Sequence, residues 1–111
     1  LQVIEPWRTA EFAGIGRQAA APDYTPYVIA KQGVLTLTKS IAAAAVGEAL
    51  TANMISPGTL EESVSYPPLD SVPKRRWGKP EELAGALAYL VSREADYVTG
   101  QHLEVAGGWA L

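Results

Sequence analysis

Thr51-Ala52-Asn53-Met54-Ile55-Ser56, halted by Pro57-Gly58, is the segment around which the rest of the chain organises itself. A short apolar run that stops at a sharp turn fits a strand buried in a parallel sheet. Both flanks agree with it. Upstream, Tyr27, Ala30, Lys31, Val34, Leu35, Thr38, Ile41, Ala42 and Ala45 recur at helical spacing, and Thr25 with Pro26 supplies a cap and a first-turn proline. The spacing predicts a helix of about six turns ending near Gly47. Residues 42–45 are all alanine, so this part of the helix is expected to lie close against another surface. Downstream, residues 59–79 hold Pro67, Pro68, Pro73 and Gly78 without sustained periodicity, which predicts a loop long enough to serve as a lid. A second helix opens at Pro80, with Glu81 and Glu82 at the positive end of its dipole. Its apolar stripe is Leu83, Leu87, Leu90 and Val91, and it stops before Asp96. His102-Leu103-Glu104-Val105-Ala106 alternates as a strand closed by Gly107-Gly108, and the apolar start Leu1, Val3 and Ile4 is a candidate for one more.

The order helix, strand, lid, helix, strand is an α/β pattern. Two or three strands with two helices cannot easily cover a parallel sheet on both faces. The chain therefore reads as part of a larger sheet, or as a subunit that completes its core by association, and a homo-oligomer is expected. Its 111 residues, 48% hydrophobic and 19% charged, suit one globular domain. Nine Lys+Arg against twelve Asp+Glu give a net charge of −3, which offers no reason to expect nucleic-acid or anionic-membrane binding. With no cysteine and one histidine, thiolate zinc sites, cysteine nucleophiles and multi-histidine metal cages are excluded, so no metal site is expected. No apolar run is long enough to span a membrane, and a cytoplasmic protein is the default expectation.

Tyr27 and Lys31 stand one helical turn apart, so phenol and ammonium share a face. A neighbouring cation stabilises a phenolate and brings the tyrosine closer to the range in which it exchanges a proton in a transition state. Alone, the pair is as compatible with an ordinary helix surface. It does not stand alone. Tyr27-Val28-Ile29-Ala30-Lys31-Gln32-Gly33-Val34, Asn53-Met54-Ile55-Ser56-Pro57-Gly58, Gly78-Lys79-Pro80-Glu81-Glu82-Leu83-Ala84, Val98-Thr99-Gly100-Gln101 and Val105-Ala106-Gly107-Gly108 occur in register. Together they resemble the carboxyl-terminal half of the short-chain dehydrogenase/reductase family, over residues 24–109. Within that family the likeness is to 3-oxoacyl-(acyl-carrier-protein) reductase-like and pteridine reductase-like members.

The resemblance implies a partial Rossmann-type parallel sheet, the carboxyl-terminal half of a doubly wound fold, forming a single incomplete domain over residues 1–111 in which residues 1–23 match poorly. It implies NADP or NAD as cofactor, if the missing half is supplied, and hydride transfer between the nicotinamide and a carbonyl or alcohol carbon. Tyr27 would be the acid/base, and Lys31 would lower the tyrosine pKa and bind the nicotinamide ribose. Pro57, Gly58 and Thr59 would face the carboxamide, and residues 60–77 would form the substrate lid. The substrate would be a small-molecule carbonyl compound or an acyl-carrier-protein thioester. Placement agrees with physical expectation, because ligands of open α/β sheets bind beyond the carboxyl ends of the strands.

The departures are equally specific. The family's glycine-rich phosphate loop is missing from the sequence, and no serine stands between Leu1 and Asp23, where the family's catalytic serine precedes the tyrosine. Glu11, beside a surviving Ala13-Gly14 pair, is no equivalent, since an ionised carboxylate opposes a developing alkoxide. Residues 1–11 also do not look like the family's apolar strand at that place. The rival expectation is thus a non-catalytic oligomeric remnant of the fold acting as an interaction module. Lys74-Arg75-Arg76-Trp77 reads as a solvated loop with Trp77 turned inward, His102 as structural, Glu61-Glu62 as solvated lid, and Trp109 as packed at an interface.

Overall fold

The computed structural model describes residues 2–6, 25–63, 66 and 68–109. Within them the order is β1 (Gln2–Pro6), α1 (Thr25–Ala44), β2 (Thr51–Pro57), a 3-10 turn (Leu69–Ser71), α2 (Pro80–Leu90), a second 3-10 turn (Arg93–Ala95) and β3 (His102–Val105). The three strands form one parallel sheet in the order β1-β2-β3. Among the described residues no helix is long and apolar enough to cross a membrane.

All seven residues of β2 are buried, as its apolar run requires of a strand covered on both faces. Asn53 carries the largest polar side chain in this strand, and both ends of its amide have partners. Its Nδ2 donates to the Val98 carbonyl at 2.9 Å and its Oδ1 accepts the Gln101 amide at 3.0 Å. The Ala52 carbonyl accepts from Gly100 and the Met54 amide donates to the Gln101 carbonyl, so the chain entering β3 is stitched to β2 before the ladder begins.

Residues 2–6 form the additional strand for which the apolar start of the chain was a candidate. They pair along their whole length with β2, Gln2 opposite Thr51 and Pro6 opposite Ile55, although the segment does not look like a family strand. A ladder is built from main-chain groups, which every non-proline residue carries whatever its side chain.

α1 packs on β2, and α2 touches all three strands. α1 ends at Ala44, three residues before Gly47, whose φ of +91° belongs to the turn that follows. The buried positions of α1 are Val28, Thr38 and Ala42, whereas Ala43 and Ala44 are exposed. Successive helical residues point about 100° apart, so four consecutive alanines cannot share one face. α2 also stops early, with Val91 as its C-cap and a separate 3-10 turn at Arg93–Ala95. Leu90 is buried while Val91 is 59% exposed, so the apolar stripe closes at Leu90.

Candidate functional site

The residues singled out from the sequence lie in two places, one turn of α1 and the carboxyl end of β2. On α1, Tyr27 and Lys31 are both half-buried, and the Lys31 Nζ lies 5.5 Å from the centroid of the Tyr27 ring. That is within cation–π range and leaves a positive charge beside the phenol.

At the end of β2 the chain is held close to β3. The Gly58 amide donates to the Val105 carbonyl at 3.0 Å, and a Cβ on Gly58 would stand 2.8 Å from the Ala106 Cα. Only a residue without a side chain fits that crossing, which accounts for the glycine after Pro57. Thr59 follows, buried, with a hydroxyl that has no hydrogen-bond partner among the described residues. A buried orphan hydroxyl beside the strand terminus is a polar group for which a ligand can supply the missing partner. A cavity of about 310 Å³ opens here, bounded by Thr59, Leu60, Val72, Lys74, Val105 and Gly107, at the lower end of the size of small-molecule sites. Tyr27 and Lys31 do not line it.

The lid is tied at its neck. Gly78 donates to the Thr59 carbonyl at 2.8 Å and Glu61 donates to the Gly78 carbonyl at 2.9 Å, forming a parallel bridge between Leu60 and Gly78. The Leu60 amide is capped by the Ser63 hydroxyl. Trp77 is half-buried and packs against Tyr66 in a tilted contact, with ring centroids 4.4 Å apart and planes inclined by 47°. Of the basic cluster, Arg76 forks onto Glu82, with Nη1 to Oε2 at 2.8 Å and Nη2 to Oε1 at 2.6 Å. Lys74 runs its aliphatic stem past Gly107, and Arg75 takes a φ of +54° at the turn. The arginine fork and the Lys79 amide hold the Glu82 carboxyl down at about 2, far below the usual carboxylate range. The Arg76–Glu82 fork and the Ser63 cap were not read from the sequence. A glutamate three residues after the helix N-cap signals the bond to the Lys79 amide, not the fork.

His102 sits at the start of β3, half-buried, with Nε2 2.7 Å from the Ser56 hydroxyl on the neighbouring strand. Burial pushes its pKa down; the nearby Glu104 opposes that and Lys39 of α1 adds to it. Between the lowered folded value and the usual value of about 6.5, the unfolded chain holds more protons than the folded one, so stability falls as pH drops through that window. The melting temperature should therefore decline on acidification from neutrality, and His102→Gln should flatten that part of the decline. An identical pH profile in the variant would assign the loss to other groups.

The segment holding Glu11 and Ala13-Gly14 lies outside the described residues.

Comparison with known proteins identifies the family and the fold. Residues 10–110 match the family model described as enoyl-(acyl carrier protein) reductase. The chain is 40% identical over 92 residues to nodulation protein G of Azospirillum brasilense, covering 76% of this chain and 37% of that protein. It is 38% identical over 92 residues to a 3-oxoacyl-(acyl-carrier-protein) reductase of Vibrio harveyi, covering 76% and 38%. Among solved structures, the 3-ketoacyl-(acyl-carrier-protein) reductase of Brucella melitensis complexed with NADH superposes with a TM-score of 0.79 at 26% identity, over 99% of this chain and 44% of that one. The chain thus spans about two fifths of the length of these relatives.

Proposed function

The chain belongs to the short-chain dehydrogenase/reductase family, and from that premise we propose that it carries the proton-transferring and nicotinamide-facing part of an NAD(P)-dependent oxidoreductase. The observation that carries this reading is the Tyr27 phenol with the Lys31 ammonium 5.5 Å from its ring, on a helix packed against β2, the strand that ends in Pro57, Gly58 and Thr59. The orphan hydroxyl of Thr59 supports a polar ligand group laid against that terminus.

A bound nicotinamide supplies or accepts the hydride. Tyr27 donates its proton to the carbonyl oxygen as the carbon is reduced, and takes it back in the reverse direction. Lys31 favours the phenolate left behind and would hold the nicotinamide ribose, while the backbone at residues 57–59 would receive the carboxamide. The lid of residues 60–77 covers a carbonyl substrate. The names of the relatives favour an acyl-carrier-protein thioester over other small carbonyl compounds.

The sequence holds no glycine-rich phosphate loop and no serine ahead of Tyr27, so this chain by itself is expected to be nearly inert. Titration with NADH or NADPH, followed by cofactor fluorescence, tests that directly. Tight saturable binding to the chain alone would overturn it. Addition of the amino-terminal half of a relative should then restore binding and carbonyl-dependent cofactor oxidation.

A second reading, a non-catalytic module that assembles through α1, is favoured by Ile29, Leu37 and Val46, which are 66%, 58% and 78% exposed. Such apolar exposure on or just beyond one helix suits a contact with another chain. A monomer in analytical ultracentrifugation would remove this reading.

A further inference from the structure

We propose that Glu82 and Arg76 are positioning residues for the turn at residues 57–59, fixing the backbone against which the nicotinamide carboxamide rests. The inference builds on the reading of that turn given above.

The connection is a continuous chain of hydrogen bonds. Glu82 Oε2 accepts the Lys79 amide at 2.8 Å, and both oxygens of the same carboxylate receive the Arg76 fork. Arg76 also donates to the Trp77 carbonyl at 3.1 Å. One carboxylate therefore grips the chain on both sides of Gly78. Gly78 in turn donates to the Thr59 carbonyl and accepts from the Glu61 amide. Space leaves little slack, since a Cβ on Gly78 would stand 2.9 Å from Leu60 Cδ2. Displacing Gly78 therefore pulls directly on Thr59 and Leu60.

A bidentate charge-assisted pair fixes direction as well as distance, which a lysine in the place of Arg76 cannot do. The carboxylate does two separable things. It caps α2 through the Lys79 amide, and it holds the loop through Arg76. Arg76→Lys removes the fork and leaves the cap; Glu82→Ala removes both.

The test uses the whole chain, with amide hydrogen exchange and the chemical shifts of Gly58, Thr59 and Leu60 under titration with reduced nicotinamide mononucleotide. The wild-type chain should show shifts at those three amides that saturate only at roughly millimolar mononucleotide, weak binding consistent with the near-inert chain proposed above. Arg76→Lys should speed exchange at Glu61 and Gly78 about two- to fivefold without touching the amides of α2, and Glu82→Ala should do so more strongly. Both variants should weaken mononucleotide binding about twofold or more. Unchanged exchange at Glu61 and Gly78, with saturable shifts intact, overturns the positioning role alone. Faster exchange with unaltered binding also overturns it, because the fork would then only brace the loop. A wild-type chain without saturable shifts sinks the nicotinamide reading of the turn itself, whatever exchange shows.

Discussion

Tyr27→Phe, in a preparation made active by a supplied amino-terminal half, is expected to lower turnover about 10²–10⁴-fold, the usual contribution of a positioned general acid. The change removes one oxygen from a half-buried side chain. Its cost in stability should therefore stay within that of one hydrogen bond, about 0.5–1.5 kcal/mol. The phenyl ring left by the substitution would still lie beside the Lys31 ammonium, so the cation–π contact survives and only proton transfer is lost. Steady-state kinetics beside a melting curve separate the two effects. Turnover within a few fold of wild type would take the phenol out of the reaction.

Asn53→Leu carries the largest expected loss of stability. The leucine leaves the Val98 carbonyl and the Gln101 amide without the partners they have in the folded chain. Each orphaned buried group costs about 1–3 kcal/mol, so the substitution should destabilise by about 2–6 kcal/mol. Marginal domains rarely survive the upper part of that range. Urea denaturation measures it, and a midpoint close to wild type would show that water reaches these groups. Asn53→Asp keeps the acceptor for Gln101 but buries an ionised carboxylate against the Val98 carbonyl, so it should be no milder at neutral pH and should recover part of the loss on acidification, when the protonated carboxyl can donate.

The asparagine also shows where sequence reading reached and where it stopped. β2 was legible because apolar burial dominates a strand covered on both faces, and Pro57 marked its end. The starts of both helices were legible too, through Pro26 and Pro80. Their ends were not. Gly47 and Val91 lie near where the periodicity stops, but the last helical turn is set by which carbonyl finds a partner, a tertiary matter. β1 was legible only as a candidate, from Leu1, Val3 and Ile4, because its pairing is a main-chain property that so short a side-chain pattern announces weakly. Within β2, hydropathy alone assigned no role to Asn53, since its value lies in two particular main-chain groups forty-five and forty-eight residues further on.

At the candidate site, the Tyr27 and Lys31 spacing was visible as one helical turn, and the structure gives it a distance. The fork from Arg76 to Glu82 was hidden for a physical reason. Arg76 sits among three consecutive cations, and nothing in a run of like charges tells which one meets a carboxylate six residues on.

The knotting of the lid at Thr59, Glu61 and Gly78 has an evolutionary corollary. The tie couples the base of the loop to Thr59 and Leu60, but the span beyond it can change length cheaply, since doubling it costs only about 0.6 kcal/mol in closure entropy. Under the function proposed above, that span can be rewritten as a cassette while Tyr27 and Lys31 stay put, which opens new substrate preferences to such a scaffold.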